Sequence, residues 1–266
     1  YTEGICAGSD AVRVADLHAF FADPSIAGIL CVRGGYGSMR LLPQLDYELI
    51  SRHPKVFMGY SDITALHTVL QQRCHLVTFH GPMAASDFGR EPRSEFTCKH
   101  ALRALTSTVP LGELPAPPSG PAPFFLVPGE ATGLLCGGNL SLIAATLGTP
   151  YELDTTGRIL CLEEVGEAPY RLDRLLTQLH LAGKLQAAAA IVMGVCSNCD
   201  GEDDPPGQRT ADVLHERLGS LGKPVLCDVS FGHTPDKLTL PFGVQGKLSL
   251  QHGLVVTENA LEEFSS

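Results

Sequence analysis

Short apolar runs of strand length alternate with segments of helical periodicity along most of this chain, and that alternation limits the fold more than any other feature. Residues 12–22 place Val12, Val14, Leu17, Phe20 and Phe21 among charges at helical spacing. SIAGILCVR (25–33) reads as a buried strand that runs into the glycine loop Gly34-Gly35-Tyr36-Gly37. SMRLLPQL then opens a short helix broken near Pro43, because proline lacks the amide that an interior helical turn uses. KVFMGY (55–60) is a second strand, DITALHTVLQQR (62–73) a helix, and HLVTFH (75–80) a third strand. This order predicts right-handed crossovers and a largely parallel sheet, an α/β fold.

Seven prolines crowd residues 110–128. Proline fixes φ and removes a donor, so the stretch reads as a semi-rigid connector rather than an element. The chain is therefore divided into an N-terminal α/β domain (1–109), a proline-rich linker (110–130) and a C-terminal β/α domain (131–266). Beyond the linker, ATGLLCG, GRILCLEE, AAAAIVMGV and PVLCDV read as strands, and NLSLIAATLG, APYRLDRLLTQLHLAG and RTADVLHERLGSL as helices. LSLQHGLVVT (248–257) reads as a hairpin around His252-Gly253. Gly201–Gly207 reads as an exposed acidic loop, and Glu262–Ser266 as a frayed end.

Composition excludes some function classes. Lys and Arg total 19 against 29 Asp and Glu, a net charge of -10, which disfavours a nucleic-acid backbone as partner. No apolar run has the length of a membrane helix, AAAAIVMGVC (187–196) being the longest candidate. The nine cysteines are odd in number and mostly lie in apolar runs, which fits small buried hydrophobes in a reducing compartment. Cys196 and Cys199 form a single CxxC with no second pair, so no metal is expected there. The chain starts at Tyr1 rather than Met and reads as a fragment or a processed product.

Ser61 stands where KVFMGY meets the following helix, in Gly59-Tyr60-Ser61-Asp62-Ile63. A serine at a strand-to-helix turn presents its oxygen above the sheet edge, beside first-turn amides that lack intrahelical acceptors. Equally, serine is a preferred helix cap. A nucleophile needs a base, and His233 sits in the Gly/Pro-punctuated loop Phe231-Gly232-His233-Thr234-Pro235-Asp236-Lys237. His80, in FHGPM, has similar surroundings, and either histidine could be structural. The base needs an orienting acid, and Glu163 and Glu164 close the strand GRILCLEE. Alternation puts Glu163 on the face of Ile159 and Cys161, although both carboxylates could be solvated loop groups. The glycine loop 34–37 could cradle phosphate or bring amides close to a reacting carbonyl. Gly137-Gly138-Asn139 reads as a helix entry, and Arg171, Asp173 and Arg174 as a charged helix face.

Six segments together resemble the LD-carboxypeptidase family of serine peptidases: ILCVRGGYGSMRLLPQLDY, MGYSDITALH, FHGPM, CGGNLSLIAATLGTPYE, ILCLEEVGEAPYRLDRLLTQL and GHTPDKLTLPFG. EVGEAPYRLDR is more similar to the murein tetrapeptide branch than to the microcin-immunity branch. The resemblance implies a triad of Ser61 as nucleophile, Glu163 as acid and His233 as base. It implies oxyanion donors at the amides of Asp62 and of Gly35 or Tyr36. It implies an N-terminal sheet like that of class I glutamine amidotransferases and a C-terminal mixed domain with a barrel-like sheet. The implied activity is removal of terminal D-alanine from murein L,D-tetrapeptides in cell-wall recycling. The implied enzyme is a cytoplasmic homodimer that needs no metal or other cofactor and binds neither nucleic acid nor membrane. Family members begin with a further strand and helix ahead of the segment matching Tyr1-Thr2-Glu3-Gly4, so exposed apolar surface is expected on the N-terminal sheet. Three alternatives stay open: a peptidase or amidase acting on peptidyl-nucleotide antibiotics, a binding protein that uses the glycine loop, and an inactive remnant.

Overall fold

A computed structural model describes residues 6–201, 205 and 208–262. Most of the acidic stretch 201–207 and nearly all of the terminal stretch 262–266 lie outside the described residues. The helices in chain order are α1 (Asp10–Ala22), α2 (Tyr47–Arg52), α3 (Thr64–Cys74), α4 (Glu95–Thr106), α5 (Leu140–Thr146), α6 (Pro169–Leu181), α7 (Lys184–Ala187) and α8 (Thr210–Leu218). The strands are β1 (Gly28–Leu30), β2 (Val56–Gly59), β3 (Thr78–His80), β4 (Gly112–Glu113), β5 (Phe124–Val127), β6 (Ala131–Asn139), β7 (Ile159–Val165), β8 (Ala190–Ser197), β9 (Val225–Val229), β10 (Leu240–Phe242), β11 (Gln245–Ser249) and β12 (Gly253–Val256).

They form two sheets, one ordered β1-β2-β3-β10 and the other β4-β12-β11-β6-β7-β8-β9-β5. The α/β class and the parallel crossovers follow the apolar pattern. β1, β2 and β3 run parallel, as do β6, β7, β8 and β9; the central run ILCLEEV is almost wholly buried, and so are the first five residues of AIVMGVCS. β1 is shorter than the expected strand 25–33. The carbonyls of Cys31 and Val32 instead accept from the Ala84 and Ala85 amides.

Two expectations need correction. The larger sheet is open, ending at β4 and β5, and does not close into a barrel. β4 has only two residues, and prolines at 115, 117, 118, 121 and 123 separate it from β5, so neither edge offers a long ladder for closure. The proline-rich stretch is also more than a connector, because it supplies both edge strands, a position where missing amide donors are tolerated.

β10 comes from the C-terminal third of the chain yet pairs antiparallel with β3, Leu240 opposite His80. One core then spans both sheets, with Phe79, Phe231 and Phe242 buried together. The sheets are also tied by polar bonds: Gln71 donates to the Leu135 carbonyl at 2.9 Å, and the Asn139 amide to Thr64 Oγ1 at 2.9 Å. These ties set the ends of β2, β7 and β9 around one cleft.

Candidate active site

Ser61 follows β2 and opens a short 3-10 turn that leads into α3. Its φ is 65°, in the left-handed region that a residue with a β-carbon seldom occupies. Such a turn lifts the side chain off the end of the strand. The hydroxyl caps no helix; Ser61 Oγ lies 3.1 Å from His233 Nε2. The other ring nitrogen, Nδ1, is 2.7 Å from Glu163 Oε2. A carboxylate only accepts, so Nδ1 carries the proton and Nε2 is free to accept from the serine hydroxyl. The three side chains that the sequence nominated thus lie in one hydrogen-bonded line.

Each is placed by a different element. Glu163 is fully buried near the end of β7. Gly232 makes room for it, because a β-carbon there would stand 2.4 Å from Glu163 Oε2, and its φ of 81° is a glycine conformation. His233 lies in the loop after β9, where Ser197 Oγ donates to its carbonyl at 2.7 Å. Glu164 has another task. Its carboxylate accepts from Asn139 Nδ2 at 3.0 Å and from the Ser141 amide at 2.8 Å, which fixes the start of α5. Asn139 caps α5 as expected, accepting from the Leu142 amide.

The glycine loop is packed on the serine. A β-carbon on Gly34 would meet Ser61 Cβ at 2.7 Å. Gly35 has a φ of 99°, and the Tyr36 side chain is exposed. Asp62 is buried, its Oδ2 accepting from the Ser38 amide at 2.8 Å, which ties the loop's far end to the turn bearing Ser61. The sequence reading named the whole loop 34–37 and singled out Gly35 and Tyr36 as donors, and Gly34 is the loop glycine packed on Ser61.

His80 is not a second base. It is buried among Tyr60, His67, Phe231 and Phe242, and burial holds its pKa well below the usual histidine value. Arg171 pairs with Glu167, Asp173 with Arg217, and Arg174 lies over Tyr170, all on the α6 surface. Cys199 Sγ donates to the Ser197 carbonyl at 3.6 Å, and no group of three possible metal ligands occurs among the described residues.

A buried polar cluster beside His233 was not read from the sequence. Lys237 Nζ pairs with Asp87 and donates to the Tyr60 hydroxyl at 3.2 Å, lying 4.5 Å from the Tyr60 ring centre. The Tyr60 ring packs edge-to-face on His233 with centres 4.9 Å apart. Burial and then the Asp87 charge push the Tyr60 pKa up. Burial lowers that of Lys237, against the pull of Asp87. The signal was a lysine set against the apolar run LTLPF, a position that needs a buried partner.

Serine, imidazole and carboxylate in this order can transfer a proton from the serine and stabilise the resulting imidazolium, the chemistry of acyl transfer. Comparisons with known proteins point to carboxypeptidases. The LD-carboxypeptidase N-terminal domain matches residues 1–81, and the LD-carboxypeptidase C-terminal domain matches residues 132–248. A protein named "Probable murein peptide carboxypeptidase" from Bacillus subtilis is 39% identical over 265 residues, covering 98% of this chain and 80% of its own length. The crystal structure of muramoyltetrapeptide carboxypeptidase from Oxalobacter formigenes superposes with a TM-score of 0.83 at 33% identity, covering 96% of this chain and 86% of that one. Microcin C7 self-immunity protein MccF superposes with a TM-score of 0.89 at 27% identity, over 98% of this chain and 84% of that one.

Proposed function

This chain belongs to the LD-carboxypeptidase family, and we propose that it is a serine carboxypeptidase that removes terminal D-alanine from murein L,D-tetrapeptides. The observation that carries the reading is the hydrogen-bonded line Ser61–His233–Glu163. In the proposed mechanism His233 Nε2 takes the Ser61 proton as Oγ attacks the carbonyl carbon preceding D-alanine. The developing oxyanion is met by the Asp62 amide and by an amide of Gly35 or Tyr36. Collapse breaks the peptide bond, and the imidazolium gives its proton to the departing amine. Water, deprotonated by His233, then attacks the acyl-enzyme and releases the shortened peptide. Glu163 holds the Nδ1–H tautomer throughout and stabilises the imidazolium.

The same proposal includes a homodimer working in the cytoplasm, both carried over from the family resemblance. Among the described residues no helix is long and apolar enough to cross a membrane. The division into domains 1–109 and 131–266 stands as a proposal too, with β10 reaching back into the first sheet.

The likeness to the microcin self-immunity protein favours a second reading, hydrolysis of a peptidyl-nucleotide antibiotic by the same triad. Rates on a murein tetrapeptide and on an aminoacyl-nucleotide conjugate, measured side by side, separate the two. The first reading requires the tetrapeptide to be the better substrate. Faster turnover of the conjugate would replace it with the second.

A further inference from the structure

The cavity beside His233 has a volume of about 580 Å³, and its charged lining consists of Asp87, Arg90, Glu91, Arg93, Asp236 and Lys237. Most of these charges are engaged. Lys237 pairs with Asp87, and Arg93 pairs with Glu91 at 3.3 Å. Asp236 accepts from the hydroxyls of Ser94 and Ser119, each at 2.5 Å. The Arg90 side chain has no hydrogen-bond or ion-pair partner among the described residues. Arg90 is exposed and lines the cavity together with His233.

A carboxypeptidase must tell a chain end from an internal bond, and the distinguishing group is the terminal carboxylate. The scissile nitrogen has to reach His233 Nε2 to take its proton. In an α-amino acid the carboxylate lies within about 4 Å of that nitrogen, two bonds away. The group that reads it must therefore line the same hollow as His233. A guanidinium suits this task, since its planar fork gives two parallel bonds to a carboxylate. Arg33 is also exposed, but it flanks the glycine loop and does not line this cavity.

We infer that Arg90 binds the terminal carboxylate of the departing D-alanine and so sets a preference for a free chain end. The inference rests on the carboxypeptidase reading and adds to it the residue that reads the C terminus.

The test compares a murein tetrapeptide ending in free D-alanine with the same peptide ending in D-alanine amide. Wild type, Arg90→Ala, Arg90→Lys and Arg33→Ala are assayed on both. The wild type prefers the acid. In R90A the acid-to-amide ratio of kcat/KM falls by about tenfold or more, the loss of one charge-assisted pair, and the fall lies mainly in KM for the acid. R90K keeps part of the preference, because an ammonium supplies charge without the fork. An unchanged ratio in R90A, or a collapse in R33A alone, overturns the inference while leaving the carboxypeptidase reading intact. A wild type that cleaves neither peptide sinks that reading, and this inference with it.

Discussion

Gly34 lies so close to Ser61 that a β-carbon on it would stand 2.7 Å from Ser61 Cβ and 3.0 Å from Ser61 Oγ. The backbone of the glycine loop is therefore a wall of the nucleophile's own site. Gly34→Ala forces either the loop or the serine to move, and small displacements of reacting groups cost about a hundredfold in rate. We expect kcat/KM to fall by about that factor, with stability lowered by only ~1–3 kcal/mol. Steady-state kinetics beside a thermal melt checks this. Full activity in a folded G34A protein would remove the loop from the mechanism.

Glu163 is fully buried, and one carboxylate oxygen, Oε1, has no partner among the described residues. A buried charge in that state costs stability and is kept for its effect on His233. Glu163→Gln removes the charge at nearly constant volume. The melting temperature is expected to hold or rise while kcat drops by about a thousandfold or more, as the imidazolium loses its counter-charge. A fall in both together would mean that Glu163 serves the fold first.

Lys237 and Asp87 make a buried pair that holds the Tyr60 hydroxyl beside His233. Lys237→Met strands the Asp87 carboxylate and is expected to cost about 3–5 kcal/mol. Adding Asp87→Asn should restore much of that loss, so a double-mutant cycle in denaturant will show strong coupling. Additive losses would show that the two groups stabilise the chain separately.

Three core histidines, His67, His80 and His100, make the fold sensitive to acid. His67 donates from Nε2 to the Gly59 carbonyl at 2.8 Å, and His100 Nδ1 accepts from the Thr239 amide at 3.0 Å. Burial lowers both pKa values from 6.5 to about 4. The unfolded chain then binds more protons than the folded one between those limits. Stability is fully present above pH 6.5 and is lost as pH falls toward 4, by at most about 1.4 kcal/mol per pH unit for each histidine. Denaturant unfolding from pH 7 to pH 4 reads the slope. His100→Asn, which can still accept from Thr239, should make it shallower; an unchanged slope would show that His100 does not titrate in this range.

Much of the site was legible because its residues sit at the ends of strongly patterned strands. KVFMGY and GRILCLEE are unambiguous apolar runs, and their ends deliver Ser61 and Glu163. What was not legible depends on contacts remote in sequence. β10 is a strand because it pairs with β3, and LPF alone carries no alternation to announce it. β4 and β5 hid among prolines that a sheet edge tolerates. The partners of Glu164 were not legible, because Asn139 and Ser141 stand 25 and 23 residues before it. Lys237 and Asp87 are 150 residues apart, and nothing local joins them.

The most direct test of the account is mass spectrometry of a murein tetrapeptide incubated with wild type and with Ser61→Ala. Wild type should yield the tripeptide and one free D-alanine per peptide. The S61A protein, with an unchanged melting temperature, should leave the tetrapeptide intact. D-alanine released by folded S61A at a rate near that of wild type would contradict the central claim that Ser61, activated by His233 and Glu163, is the nucleophile.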